Sequence, residues 1–333
     1  MSKFWYAIVR FRIAILGIFA IVVLLTLAVV IVLHIRASES LDTPSRARNE
    51  FIHQIQKEGG VRAYAAFVET YRPQGFEIQH NAAHLFGEAL YDVEHLGGLA
   101  ICDQTFNFGC YHGFMSRAIA REGLPVIHKL DGVCKSDTLA PMACQHGIGH
   151  GILEFLGHTK LLEALDACKL TNQEDPIAGC TSGVFMEYNV PLVTREDGSI
   201  GVESRSLADA HKPFDVCPSM PAQFKQSCYH ELPQWWTQVL TTDMGDMGRL
   251  CATVEEEQLK NACLMGVSNI IPSQAAYDAQ TIISMCNEMP TPKSIDECLV
   301  GAAWGLVKNF HLNEAGTQVC KTASAGVRHQ CPI

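Results

Sequence analysis

Charge is scarce in this chain, and the familiar catalytic signatures are missing. Only 18% of its 333 residues are charged, while 48% are hydrophobic. There is no Gly-rich phosphate loop, no G-x-S-x-G elbow and no kinase signature, so nucleotide-dependent phosphoryl transfer and nucleophile-elbow hydrolysis lack their usual parts. The zincin motif H-E-x-x-H is absent as well. None of the 14 cysteines stands at the C-x2–4-C spacing of zinc knuckles, and no C-x-x-C-H haem attachment motif occurs. No acidic residue precedes Glu39, whereas Lys3, Arg10, Arg12 and Arg36 all do, so the body is more acidic than the net charge of −10 for the whole chain. An acidic body argues against nucleic acid as a partner.

What the first forty residues do contain is an apolar run. Ile13 to Leu33 is 21 residues without a charge, long enough to span a bilayer as a helix. The hydrophobic segment of a signal peptide is usually only about 7–15 residues, and no small-x-small cleavage site follows Leu33, so an uncleaved anchor is expected. Lys3, Arg10 and Arg12 precede the run, and Glu39 and Asp42 follow it. The positive-inside rule then leaves residues 1–12 in the cytoplasm and the body outside, periplasmic or at the cell surface.

The cysteines act as a ruler. They pair as Cys102/Cys110, Cys134/Cys144, Cys168/Cys180, Cys217/Cys228, Cys251/Cys263, Cys286/Cys298 and Cys320/Cys331, 8 to 12 residues apart within a pair. From the first cysteine of one pair to the first of the next, the steps are 32, 34, 49, 34, 35 and 34 residues. A period near 34 is the size of a helix–turn–helix repeat. The long step holds an insertion within 189–210, where "TREDGSIG" reads as a turn-rich loop. The first cysteine closes an apolar segment ("ALDAC", "GRLC", "ISMC"). The second opens another with Gly three residues on ("CYHG", "CQHG", "CTSG", "CLMG", "CLVG"), the exception being "CYHE" at Cys228. The unit is therefore helix, Cys, loop, Cys, helix, clamped by a disulfide, and the Gly lets the second helix approach a neighbouring backbone. The final unit is expected to be truncated, with two residues after Cys331. Buried free thiols or metal-ligating thiolates would not need strict pairing in seven units. Disulfides require an oxidising compartment, and they leave no thiol as a nucleophile.

With these pairs in place, "ICDQTFNFGCYHG" resembles the Sel1-like and tetratricopeptide class of α/α repeats, in particular their cysteine-paired members. The resemblance covers roughly residues 60–333 and is architectural. The G-x-G-V turn of Sel1 units and the Trp-Leu-Gly-Tyr signature of tetratricopeptides are absent. It implies an array that binds proteins or peptides.

The fold class expected is all-α: an N-terminal transmembrane helix, then an α/α-hairpin repeat solenoid with one disulfide per repeat. Residues 13–33 form the anchor, 34–60 a stalk with a short helix, and 61–333 the repeat domain. A cysteine-free unit opens it, with helices at Val61–Tyr71 and Ile78–Val93 around a Pro73–Gly75 turn. Pro233 predicts a kink or early stop in its helix, and Trp235 and Trp236 are expected in the core.

Histidines form a second periodic layer. Two residues after the second cysteine come His112, His146, Ser182, His230, Met265 and Val300, with His80 in the same register of the cysteine-free unit. Four and eight residues further on, two units complete the pattern His-x3-His-x3-Glu: His80/His84/Glu88 and His146/His150/Glu154. Such residues share one helical face, here largely opposite Ile148 and Ile152, so the stripe is expected to line a groove or a surface between repeats. Imidazoles at i and i+4 offer two ligands to zinc or another divalent transition metal. The expected site is His80, His84, His112, His146 and His150, with Glu88 and Glu154 as ligands or as acceptors behind them. Duplication of a histidine bonded to a loop carbonyl would produce the same column. His95, His128, His158, His211, His311 and His329 share no register and are expected to be structural or exposed.

Three functional classes follow. One is a membrane-anchored scaffold that binds a protein or small ligand in its groove. The second is a metal-binding protein or metalloenzyme using the stripes. The third is an envelope spacer with neither role. Catalytic residues are not identifiable from the sequence.

Overall fold

The computed structural model describes residues 43–137, 141–171, 177–190, 192–194, 200–202, 212–240 and 243–332. The expected anchor, 13–33, lies outside them. No helix among the described residues is long and apolar enough to cross a membrane. The chain divides into a small unit, residues 1–46 with 194–201, and a large one, residues 47–193 with 202–333; the site lies in the second.

The described chain is all-helical apart from two three-residue strands, β1 (Leu192–Thr194) and β2 (Ile200–Val202), in the insertion. An inner row consists of α3 (Phe76–Glu94), α4 (Gly109–Glu122), α6 (Pro141–Leu156), α8 (Cys180–Asn189), α9 (Ala222–Val239), α11 (Glu257–Gln274) and α13 (Pro292–Trp304). Each packs against the next. Shorter outer segments precede or follow them: α2 (Gly60–Tyr71), α5 (Ile127–Asp137), α7 (Leu161–Ala167), α10 (Met244–Ala252), α12 (Ala279–Asn287) and α14 (Asn313–Thr322). The N-terminal helix α1 (Thr43–Glu58) brings the described α-helices to fourteen.

All seven disulfides form between the expected partners: Cys102–Cys110, Cys134–Cys144, Cys168–Cys180, Cys217–Cys228, Cys251–Cys263, Cys286–Cys298 and Cys320–Cys331. No described cysteine is free. Seven disulfides belong to an oxidising, extracytoplasmic environment.

The position of the second cysteine departs from the expected unit in several places. Cys180 is the first residue of α8 and Cys110 the second of α4, as expected. Cys144 instead falls one turn inside α6, which already begins at Pro141. Proline suits a first helical position, where its missing N–H has no partner to lose, and it starts the helix ahead of the cysteine. Cys228, Cys263 and Cys298 lie almost two turns inside α9, α11 and α13. In the final unit, expected to be truncated, Cys331 follows the short 3-10 turn Arg328–Gln330 in extended conformation, half-buried, and its bridge to Cys320 fastens this segment back onto α14. Of the other six bridges, those from Cys134, Cys168, Cys251 and Cys286 tie α5, α7, α10 and α12 to the following inner helix, and those from Cys102 and Cys217 do the same from 3-10 segments.

The cysteine-free unit has the expected helices, with α3 beginning two residues earlier than the apolar pattern suggests. Of the segment expected to be a stalk, 34–60, residues 47–60 belong to the large unit. On α1, Phe51 and Ile55 are buried in the core, and Phe51 packs edge-on against Phe67 and Tyr71 and tilted against Phe86. Arg48 pairs with Asp92 of α3, which also accepts from Arg117 Nε and Nη2 of α4, both at 2.9 Å. Pro233 does not stop α9, which continues through Val239. Beyond it, Trp235 and Trp236 are fully buried, and Trp236 Nε1 donates to Pro213 O at 2.7 Å. Burying two indoles offsets the roughly 3 kcal/mol that an interior proline costs a helix.

Glycine sets the spacing of the inner row. A Cβ on Gly113 would lie 1.9 Å from the His84 carbonyl oxygen, one on Gly183 1.9 Å from that of His146, and one on Gly266 2.0 Å from that of His230. Two contacts are reciprocated, because Gly87 and Gly149 would meet the carbonyl oxygens of Cys110 and Cys180 at 2.2 and 2.1 Å. Helices that close can only meet at glycine. The periodic C-x-x-G thus presses each histidine-bearing helix onto its neighbour.

Candidate metal centre

The inner row curls until both ends face one interior space. A cavity of about 540 Å³ is lined by Asn107 and His112 near one end, by Ser182 and Glu231 in the middle, and by Asn269 and Phe310 near the other. A smaller space of about 190 Å³, lined by His80, His84, His150 and Glu187, shares His112, Met186 and Gln234 with it. The histidine column forms the wall common to both.

On α6, Ile148, Ile152 and Leu153 are buried on the core side. His146 and His150 project the other way, which is the expected division of the helix into two faces. His150 is nonetheless buried, because α4 and α8 pack on either side. Cys144, two residues before His146, is also buried, but its sulfur is bound to Cys134 and offers no thiolate to a metal.

The five expected histidines come together around His112. Its ring centroid lies 5.5 Å from His80, 5.2 Å from His84, 5.8 Å from His146 and 4.5 Å from His150. Two triads result, His80/His84/His112 and His112/His146/His150, each with one ligand atom per residue and all three atoms within 4.8 Å of one another. Within each i,i+4 pair the Nε2 atoms are 3.2 Å apart. Nitrogens bound to one tetrahedral zinc at ~2.0–2.1 Å stand about 3.3–3.4 Å from each other. The pairs therefore already have the separation of two ligands on one ion.

Hydrogen bonds fix which ring nitrogen carries the lone pair. His80 Nδ1–H donates to Phe106 O at 2.8 Å, so its lone pair is on Nε2. His150 Nδ1–H donates to Glu187 Oε2 at 3.0 Å, again leaving Nε2 unprotonated. A carboxylate or carbonyl behind the ring is the usual partner of a metal-binding imidazole. His84 and His146 each supply the proton that bridges their pair; tautomerisation, which carries the proton on Nδ1 instead, leaves the second Nε2 lone pair for a ligand bond.

Phe106, Asn107 and Phe108 all take left-handed φ, at 55°, 54° and 62°. Such strain costs on the order of 1–3 kcal/mol per residue. The loop holds it within the shortest disulfide ring, Cys102–Cys110, while Asp103 accepts from Tyr64 Oη and the Thr105 amide, both at 2.7 Å. That conformation aims the Phe106 carbonyl at His80.

Electrostatics favour neutral imidazoles. Burial, followed by the neighbouring rings, lowers His84 and His112 well below the ordinary histidine value, and burial with His150 and His230 does the same to His146. Burial also lowers His80, and takes His150 down to about 3. Neutral imidazole is the metal-binding form.

The two stripe glutamates are not in either triad. Eight residues along an α-helix is a rise of about 12 Å, which carries them past the cluster. Glu88 lies 3.8 Å from Arg48 Nε, and burial pushes its carboxyl up to about 7. Glu154 is exposed and is hydrogen-bonded by Ser116.

Three participants escaped the spacing argument. Glu187 supports His150 from α8, and cross-helix pairs leave no periodic trace. His158, outside the register, lies 3.8 Å from the Glu187 carboxylate. Glu231 is the residue that replaces Gly in "CYHE", so a signal existed. Without the close glycine contact, α8 and α9 leave room for a carboxyl side chain. It is bonded by Ser182 and, at 2.7 Å, by Gln234 Nε2. Burial pushes Glu231 up to about 8. His230 stands apart from the triads, with Nδ1–H donating to Ala262 O at 3.2 Å and Nε2 accepting from Asn269 at 3.1 Å.

The chain matches no protein-family model, no curated protein and no solved structure.

Proposed function

We propose that this is an exported α/α repeat protein that holds a late first-row transition-metal ion on the histidine cluster of its interior cavity. The convergence of five neutral imidazoles, two of them backed by Phe106 O and Glu187, carries the reading. Imidazole donors suit zinc, copper, nickel and iron rather than magnesium or calcium. The run Ile13–Leu33 supports a single-pass tether with the body outside the cytoplasm. The two triads share His112, which in neutral form offers one lone pair, so one ion per chain is expected.

The experiment is metal analysis of full-length protein recovered from the membrane fraction, loaded with Zn2+ and dialysed. One zinc per chain is expected in the wild type and less than about a tenth of that in His112→Ala, which breaks both triads. Recovery of the protein in the soluble fraction would overturn the tether. No retained metal, with disulfides and helicity intact, would overturn the metal site.

A second reading, a binding module for a small ligand, is favoured by the cavity of about 540 Å³ with its convergent Ser182, Glu231, Gln234 and Asn269.

A further inference from the structure

The two triads differ by one atom. Met186 Sδ lies 3.2 Å from His146 Nε2, the same distance that separates His146 Nε2 from His150 Nε2. Met186 occupies, on α8, the register that His84 and His150 occupy on α3 and α6. The column that supplies imidazoles in two units thus supplies a thioether in the next, aimed at the same place. The equivalent residue for the first triad, one unit on from His80 and His84, is Ser116 on α4. Every described cysteine is consumed in a disulfide.

Thioether is a soft donor that selects Cu(I) over hard divalent ions. Charge points the same way. Neither triad contains a carboxylate, and the surroundings are buried. Desolvation cost rises with the square of the charge, so a monovalent ion is accommodated at far lower cost than a divalent one. Glu187 stands directly behind the ligands, accepting from His150 Nδ1 at 3.0 Å.

Resting on the metal-binding reading above, we propose that His112, His146, His150 and Met186 form a copper(I) seat, with His80 and His84 outside it. Binding needs no redox step. The ion enters as Cu(I), its ligands are the three imidazole nitrogens and the Met186 sulfur, and no proton is released from a neutral donor set.

The test is anaerobic titration of the full-length protein with Cu(I) against a competing chelator, alongside Zn2+, for wild type and Met186→Leu. One Cu(I) per chain is expected. The substitution should weaken Cu(I) by about tenfold or more while changing Zn2+ affinity by less than about twofold. X-ray absorption of the copper-loaded wild type, which needs no variant to fold, should show a sulfur scatterer at about 2.3 Å. With all cysteines in disulfides, that sulfur is a thioether. A copper shell of nitrogen and oxygen alone, or equal weakening of both ions in Met186→Leu, overturns the seat. Zinc bound and Cu(I) refused sinks this inference and leaves the metal-binding reading standing; neither ion bound sinks both.

Discussion

Glu231 shows how one departure from a periodic pattern creates chemistry. Where other units place Gly, this carboxyl is buried beside Ser182, and burial pushes it up to about 8 although the Ser182 hydrogen bond opposes that shift. The sign of its effect on stability follows from linkage. The unfolded chain ionises the group near its ordinary value of 4.5, the folded chain only near 8. Between those values the unfolded state has already released a proton that the folded state keeps, so stability falls as pH rises through the window and the cost is complete above it. Glu231→Gln removes the titration and keeps the shape. Urea unfolding should find the variant close to wild type below pH 4.5, increasingly more stable than wild type up to about pH 8, and ahead by a constant margin beyond. A pH-independent difference would show that Glu231 is ionised in the folded protein, with a cation supplying what burial removes. The same carboxyl faces the cavity, so a ligand that accepts a hydrogen bond would meet a donor at neutral pH.

Helices in the inner row are held at contact distance by residues with no side chain, and those contacts fall on the carbonyls of the histidine-bearing turns. Gly113→Ala and Gly183→Ala would each drive a Cβ to within 1.9 Å of a backbone oxygen. The helices must separate, at a cost of about 1–3 kcal/mol for overpacking, and the separation moves His112 from His84, or His146 from Met186. Gly132 on α5 has open space around its would-be Cβ, and alanine there should stabilise by roughly 0.5–1 kcal/mol. Thermal unfolding of the three variants, with zinc retention as the second readout, distinguishes the cases: both measures should drop for Gly113→Ala and Gly183→Ala, and neither for Gly132→Ala. Retained zinc in a destabilised Gly113→Ala would separate packing from the site. Much of this element-level order was legible in the chain. The cysteine period placed the hairpins and their clamps, the recurrent Gly announced a close approach, and His at i and i+4 put the imidazoles on one face. The exact helix starts were less legible, since Pro141 begins α6 before Cys144, and α9, α11 and α13 begin almost two turns before Cys228, Cys263 and Cys298. What spacing could not show was anything that depends on a partner from another unit. Phe51 and Ile55 look like residues of a polar stalk until Phe67 and Phe86 are beside them. Pro233 looks like a stop until the burial of Trp235 and Trp236 is counted. Glu88 and Glu154 look like ligands, or acceptors behind the imidazoles, until Glu187 of the neighbouring unit stands behind His150.

Every covalent tie in the molecule is local. The seven disulfides close loops of 8 to 12 residues, each within one unit, and in the chain-entropy model each contributes about 3 kcal/mol by restricting its own unfolded hairpin. None joins one unit to the next, so cohesion along the row rests on helix packing and on a few polar links such as Asp92 with Arg117 and Ser182 with Glu231. The histidine cluster is the exception in scale, because its triads draw on α3, α4 and α6 from three successive units. A bound ion would therefore act as a crosslink where the chain has none, and its effect should be regional. At a free metal concentration one hundred times Kd, the stabilisation is about 2.7 kcal/mol. Hydrogen exchange on the metal-free and metal-loaded protein should show slowed amides on α4 and α6, which flank His112, and unchanged rates on α11 and α13, whose positions in the column are Met265, Asn269, Val300 and Trp304. A seat that includes Met186 extends the protected region to α8, whereas a site confined to His80, His84 and His112 would protect α3 and α4 and leave α6 unchanged. Uniform slowing across the whole row would mean that the units unfold as one cooperative block, and that the ion stabilises the molecule without local emphasis. Protection confined to α11 and α13 would place the ion away from the histidines altogether.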